Sequence, residues 1–85
     1  MNPEEAKART KALINVIETM YEIRITNLEE VIGAIIEKTL DENKILTICT
    51  ALNSWVATNA ALMGEVEIPG EVVNGLTERI LSTHN

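Results

Sequence analysis

The chain has 85 residues, with 13 acidic and 7 basic side chains, and its formal net charge is −6. This charge argues against nucleic-acid binding and against anionic membrane surfaces, since both depend on clustered Lys and Arg. It permits a basic protein partner, although it also serves simply to keep a small protein soluble. The length predicts one domain, residues 1–85, and the hydrophobic fraction of 46% is typical of a folded protein.

The first predicted helix covers residues 3–21. Asn2 suits the N-cap and Pro3 the first helical position, and the two glutamates that follow lie near the positive end of the helix dipole. Apolar residues then recur at helical spacing and predict a buried stripe, which Val16 widens. The stripe consists of Leu13, Ile14, Ile17, Met20 and Tyr21.

The second predicted helix covers residues 27–40. Thr26 and Glu29 have the spacing of a capping box, in which each side chain accepts a hydrogen bond from the other residue's backbone N–H. The short connection after this helix predicts that the second and third helices are antiparallel neighbours. Apolar residues at core-facing positions predict one buried face, made of Leu28, Val31, Ile32, Ile35, Ile36 and Leu40.

The third predicted helix covers residues 42–63 and contains a long neutral segment. No charged residue occurs from Ile45 to Gly64, a stretch of the length of a membrane span. Scattered Thr, Asn and Ser residues, and acidic residues close on both sides, argue against a span. We therefore expect a central helix with more than one buried side. Its apolar stripe is Ile45, Ile48, Leu52, Trp55, Leu62 and Met63.

A second side of the third helix is small and hydroxylated. A helix face open to water usually acquires Lys or Glu, so a face without charge indicates that something covers it. Self-association, most simply as a two-fold dimer, is the natural cover for so small a chain. The alternative is a monomer whose hydroxyl face is wet and uncharged by chance. The candidate oligomer interface is Thr47, Thr50, Ser54, Thr58 and Ala61.

A fourth, shorter amphipathic helix is predicted over residues 70–82, after a turn formed by Ile68, Pro69 and Gly70. The predicted fold class is therefore all-α, a compact bundle of about four helices that self-associates.

The connecting segments 21–25 and 65–68 alternate apolar and polar residues and carry β-branched side chains, as strands do. They could pair as a short two-stranded ribbon with Arg24 facing Glu65 or Glu67. The alternative is that the first helix continues to Ile25 and that the second segment is loop.

Cysteine and histidine, which often serve catalysis and metal binding, occur once each. Cys49 is the one cysteine and is expected to be a buried, inert thiol. His84 is the one histidine and lies next to the last residue, where a metal or catalytic role is not expected. The acidic pairs lie near helix starts, where carboxylates complement the helix dipole. We therefore expect no enzyme, no cofactor and no bound metal, and a cytoplasmic protein.

These observations favour a small acidic interaction protein, such as an adaptor, inhibitor or regulatory subunit, that acts as a homo-oligomer. It would contact a second protein, and its negative charge permits a basic one. One alternative is a protein that holds an uncharged small molecule at a subunit interface, where Asn53, Trp55 and Asn59 would face the ligand. A further alternative, based on charge alone, is a DNA mimic that occupies a basic groove.

Overall fold

A computed structural model describes residues 1–59 and 64–83. Within those ranges the chain forms four helices and two short strands, which confirms the predicted helical bundle. The elements are α1 Pro3–Tyr21, β1 Ile23–Ile25, α2 Leu28–Lys38, α3 Glu42–Thr58, β2 Gly64–Val66 and α4 Gly70–Thr83.

Helix α1 begins and ends at the predicted residues. The Asn2 Oδ1 atom accepts a hydrogen bond from the Glu5 backbone N–H at 2.8 Å, as an N-cap does. At the other end Glu22 adopts the left-handed conformation (φ 53°, ψ 43°), and its N–H donates to the Glu18 and Thr19 carbonyls. A residue with a Cβ atom incurs a steric cost in this conformation, whereas glycine adopts it freely.

Replacing Glu22 with glycine is expected to raise the free energy of unfolding by about 1 kcal/mol, because it removes the steric cost of the left-handed cap. Glu22 is exposed, so little packing is lost. Urea denaturation followed by circular dichroism measures the change. Glu22→Ala is the control, since alanine keeps the Cβ atom. Equal stability of the two variants would show that the cap geometry does not limit the stability of α1.

The four helices surround the core so that each packs against two others. Helix α1 contacts α2 and α3, and α4 contacts the same two helices from the other side. The prediction that α2 and α3 are direct neighbours is therefore wrong, because both pack mainly against α1 and α4. Their short connection has extended backbone at Thr39 (φ −162°, ψ 148°) and Asp41 (φ −73°, ψ 119°).

The two strands pair in parallel, with Ile23 opposite Gly64, Arg24 opposite Glu65 and Ile25 opposite Val66. Of the two alternatives for these connections, the structure shows the ribbon, over Ile23–Ile25 and Gly64–Val66, and excludes a first helix that continues to Ile25.

The predicted capping box at the start of α2 is wrong. The Thr26 N–H donates instead to the Val66 carbonyl at 3.0 Å, so Thr26 extends the strand pairing. Asn27 occupies the N-cap position without a side-chain cap bond. Its side-chain amide instead bonds to both backbone groups of Ile68: Nδ2 donates to the carbonyl at 2.5 Å, and Oδ1 accepts from the N–H at 3.2 Å. The start of α2 is thereby fixed to the segment before α4.

The core is almost entirely aliphatic, and its largest fully buried side chains include Ile14, Ile32, Ile35, Ile48 and Leu52. Two threonines, Thr10 and Thr77, are also fully buried. Each hydroxyl donates to the carbonyl four residues earlier at 2.7 Å, so neither donor is left unpaired in the core.

The buried stripe of α1 is narrower than predicted. The apolar spacing places Val16 and Met20 in the stripe, but these side chains are 56% and 59% exposed. The reason is that Ala6 and Thr10 occupy core positions in the first half of α1, so the buried side of the helix is turned away from Val16 and Met20. The spacing of the large apolar residues alone does not reveal this. Leu40, predicted for α2, lies beyond the end of that helix and is exposed.

Candidate interaction surface

The outward side of α3 is neutral along its length. Glu42 and Lys44 lie in its first turn, and beyond them every exposed residue of α3 is uncharged. Ser54 lies opposite the buried side formed by Ile45, Ile48 and Leu52, at the middle of the exposed side. We call this surface the α3 outer face; it consists of Leu46, Thr47, Thr50, Ser54, Ala57 and Thr58.

Four of the five predicted interface residues therefore share one exposed surface, and the fifth, Ala61, lies outside the described residues. The predicted end of the third helix at residue 63 also falls outside them, whereas α3 ends at Thr58. Among the described residues, none covers this face, which is exposed to water.

The threonine hydroxyls of the α3 outer face are already bonded to their own helix. Thr47, Thr50 and Thr58 donate to the carbonyls of Asn43, Leu46 and Ser54 at 2.8, 2.9 and 2.9 Å. A partner that covers this face would leave no unpaired threonine donor behind. The desolvation cost of burying it is therefore lower than its polar composition suggests.

A surface groove of about 590 Å³ lies between α3 and α4 and borders the α3 outer face. Trp55 forms part of the wall of this groove. Its position in the apolar stripe predicted a fully buried side chain, but the side chain is half-buried. We call this groove the α3–α4 groove. Its apolar walls are Ala51, Trp55, Leu76 and Ile80, and its polar lining is Thr47, Ser54, Thr58 and Arg79.

The three residues predicted to face a ligand do not come together. Only Trp55 lines the α3–α4 groove. The Asn59 side chain donates to the Trp55 carbonyl at 2.7 Å and helps to end α3. The Asn53 Oδ1 atom is buried and, in the described part of the chain, accepts no hydrogen bond.

On its other side, α3 meets α1 across a smaller groove of about 230 Å³. Arg9 and Glu42 form an ion pair at the edge of this groove. We call it the α1–α3 groove. The remaining residues that line it are Met1, Ala12, Leu13, Ile45 and Leu46.

In the described part of the chain the acidic residues do not cluster as metal ligands do. Among the described residues, no group of three or more His, Cys, Asp or Glu side chains lies close enough to hold a metal ion. Glu29 is bonded to Lys11, at 2.8 Å between Oε1 and Nζ, and this contact, with Lys7 nearby, lowers the pKa of Glu29. His84 lies outside the described residues, so its predicted lack of a role stays a prediction.

Cys49 is buried, as predicted, on the side of α3 that faces the core. Burial raises the pKa of its thiol to about 11. Because the thiolate is the reactive form, the native protein is expected to react with a disulfide reagent such as Ellman's at pH 8 at least ~100-fold more slowly than the urea-unfolded chain. Equal rates would show that Cys49 is accessible and would contradict its place in the core.

No described helix is long and apolar enough to cross a membrane. Comparison with known proteins gives no further guide, since no family model, no curated protein sequence and no solved structure matches this chain.

Proposed function

We propose that this protein is a small non-enzymatic interaction protein that works as a homodimer, with the α3 outer face in the subunit contact. In this role it serves as an adaptor, inhibitor or regulatory subunit, and its remaining, acidic surface is available to a second, basic protein. We also propose a cytoplasmic location. Proteins of oxidising compartments commonly carry disulfides, whereas the one cysteine of this chain is a buried free thiol.

The observation that carries the proposal is the uncharged exposed surface of α3. The chain has a charged residue at roughly one position in four, yet the α3 outer face carries none over the whole of α3 beyond its first turn. Its threonine donors are satisfied internally, so two such faces can meet without leaving those donors unpaired. The absence of charge is typical of a surface that is buried in an assembly and is uncommon on a solvent-exposed helix, whereas the threonine bonds only lower the cost of burying the face.

The test replaces Ser54, at the middle of the face, with arginine. In a subunit contact the new charge would be buried in a partly desolvated interface whose α3 outer face offers no opposite charge, which is strongly unfavourable. Size exclusion with light scattering at micromolar concentration is expected to give dimer mass for the wild type and monomer mass for Ser54→Arg. Asn74→Arg, at an exposed position of α4, is the matched control and should stay dimeric.

Two results would contradict the proposal. The first is a wild-type protein of monomer mass. The second is a Ser54→Arg variant that keeps the dimer mass and the wild-type melting temperature, since the α3 outer face would then simply face water.

The α3–α4 groove favours a second candidate function, the binding of a small apolar molecule. The groove is open to solvent, and the apolar part of its wall, with a groove volume of about 590 Å³, gives such a ligand a surface to contact. Trp55 in its wall provides the test, because a bound ligand should change the fluorescence of this one tryptophan and raise the melting temperature. A screen of uncharged apolar compounds that changes neither quantity would remove this candidate.

A further inference from the structure

We propose that the subunit contact also includes α1, and that the Met20 side chain of each copy enters the α1–α3 groove of the other copy. This inference rests on the proposed function, since it requires a dimer. It adds residues of α1 to a subunit contact that, in the proposed function, consists of the α3 outer face alone.

The first observation is where the exposed large apolar side chains lie. The described residues include five that are at least 40% exposed: Met1, Val16, Met20, Leu40 and Leu46. Met1 and Leu46 line the α1–α3 groove, and Val16 and Met20 lie on α1. Only Leu40 lies elsewhere, in the connection between α2 and α3. Such a concentration on one side is typical of an interaction site, whereas single scattered residues are not.

The second observation is that the exposed residues form one continuous surface. Helices α1 and α3 run in the same direction, since Arg9 pairs with Glu42 and, one turn later, Leu13 and Ile45 line one groove. Val16 follows Ala12 by one turn of α1, and Met20 follows Val16 by another, so these three lie along the same edge of the helix. The surface thus has a groove at one end and a protruding Met20 at the other.

The third observation is charge, which favours a second copy as the occupant. Beyond Lys11, the one charged residue of α1 is Glu18, and its carboxylate accepts a hydrogen bond from the Ile25 N–H at 2.6 Å, toward β1 and not toward α3. The edge of α1 formed by Ala12, Val16 and Met20 and the α3 outer face therefore carry no charge, and the two charged residues of the α1–α3 groove, Arg9 and Glu42, pair with each other. Two chains that each carry a charge of −6 repel one another at long range, and a neutral surface is where they can approach most closely. A basic partner would instead be attracted to the acidic remainder of the surface.

The shape of the surface agrees with a two-fold contact. A two-fold axis near Val16, perpendicular to α1, brings the groove end of one copy against the Met20 end of the other. Each Met20 then meets the groove lined by Ala12, Leu13 and Leu46 of the second copy. Methionine is flexible and unbranched, so it can fill an irregular apolar groove of this kind.

The test is an intermolecular disulfide between the two ends of α1. Ala12 and Met20 are eight positions apart on one helix, about 12 Å at 1.5 Å per residue, which is too far for a disulfide within one chain. In the proposed dimer they are adjacent across the interface. Oxidation of the Ala12→Cys, Met20→Cys double variant should therefore make a covalent dimer the main band on a non-reducing gel. Each single variant should remain a monomer on that gel.

A second pair, Leu46→Cys with Met20→Cys, samples the opposite wall of the groove. If neither pair forms a covalent dimer while light scattering still gives dimer mass, the Met20 contact is overturned and the proposed function stands. If Met20→Cys alone forms the covalent dimer, the two Met20 side chains lie together and the reciprocal arrangement is overturned. A wild-type protein of monomer mass overturns both proposals.

Discussion

Replacing Ile35 with alanine is expected to lower the free energy of unfolding by about 2–4 kcal/mol. Ile35 is fully buried at the centre of the apolar side of α2, where it belongs to the core shared with α1 and α4. The loss has two parts: the transfer free energy of the removed methyl and methylene groups, and the cavity that rigid neighbours leave unfilled. Stability of an 85-residue domain is small, so this loss is a large fraction of it.

Ile36→Ala is the matched control, because it removes the same atoms from the next residue of the same helix. Ile36 is half-buried, so the expected loss is clearly smaller than at Ile35. Urea denaturation of both variants at one protein concentration gives the comparison, since stability of a dimer depends on concentration. Equal losses, or a loss at Ile35 below about half a kcal/mol, would contradict the orientation of α2 in the bundle.

The features that can be predicted from sequence are those with local causes. The start of α1 follows from Asn2 and Pro3, whose effects reach only the first turn of the helix. The buried side of α2 follows from the spacing of Val31, Ile32 and Ile35, because this spacing places all three on one side of a helix. The ribbon is visible as an alternation of side chains, but choosing it over a continued helix requires the partner strand, which lies about 40 residues away in the chain.

Features that depend on distant contacts cannot be predicted in this way. Thr26 has the residue type and spacing of a cap, but the Val66 carbonyl competes for its backbone N–H and extends the strand instead. Ile68 is expected in a turn because Pro69 follows it, yet it is fully buried, since the Asn27 side chain satisfies its backbone groups inside the fold. Nothing within a few residues of Thr26 or Ile68 signals these partners.

Only half of the candidate surface can be predicted, for a similar reason. The absence of charge is a property of the sequence, and it is enough to group Thr47, Thr50, Ser54 and Thr58 on one side of a helix. The contribution of α1 does not follow from the same pattern, because Val16 and Met20 fit an apolar stripe as well as their buried neighbours do. The packing of α1 against α2 and α3 decides which of its apolar side chains are buried and which remain exposed beside α3.

The side-chain amide of Asn27 is expected to contribute a second large effect. Replacing it with alanine leaves both backbone groups of Ile68 without their partner, and Ile68 is fully buried. An unpaired buried polar group costs about 1–3 kcal/mol, so Asn27→Ala should lower the free energy of unfolding by about 2–4 kcal/mol unless water reaches the site. Asn27→Asp should lose much of the same stability at neutral pH, because a carboxylate can accept from the Ile68 N–H but has no proton to donate to its carbonyl.

Thr26→Ala is the control for Asn27→Ala, since it removes the neighbouring side chain. The Thr26 hydroxyl makes only a long bond to the Val66 carbonyl, at 3.4 Å, and the bond from the Thr26 backbone N–H to the same carbonyl, at 3.0 Å, remains in the variant. Its expected loss is below about 1 kcal/mol. Hydrogen exchange adds a local measurement: the Ile68 amide should be protected in the wild type and exchange faster in Asn27→Ala, while amides in the middle of α1 change only with global stability. If Asn27→Ala is no less stable than Thr26→Ala, the amide does not hold α2 to the start of α4. The ribbon and the core would then be sufficient to fix their relative position.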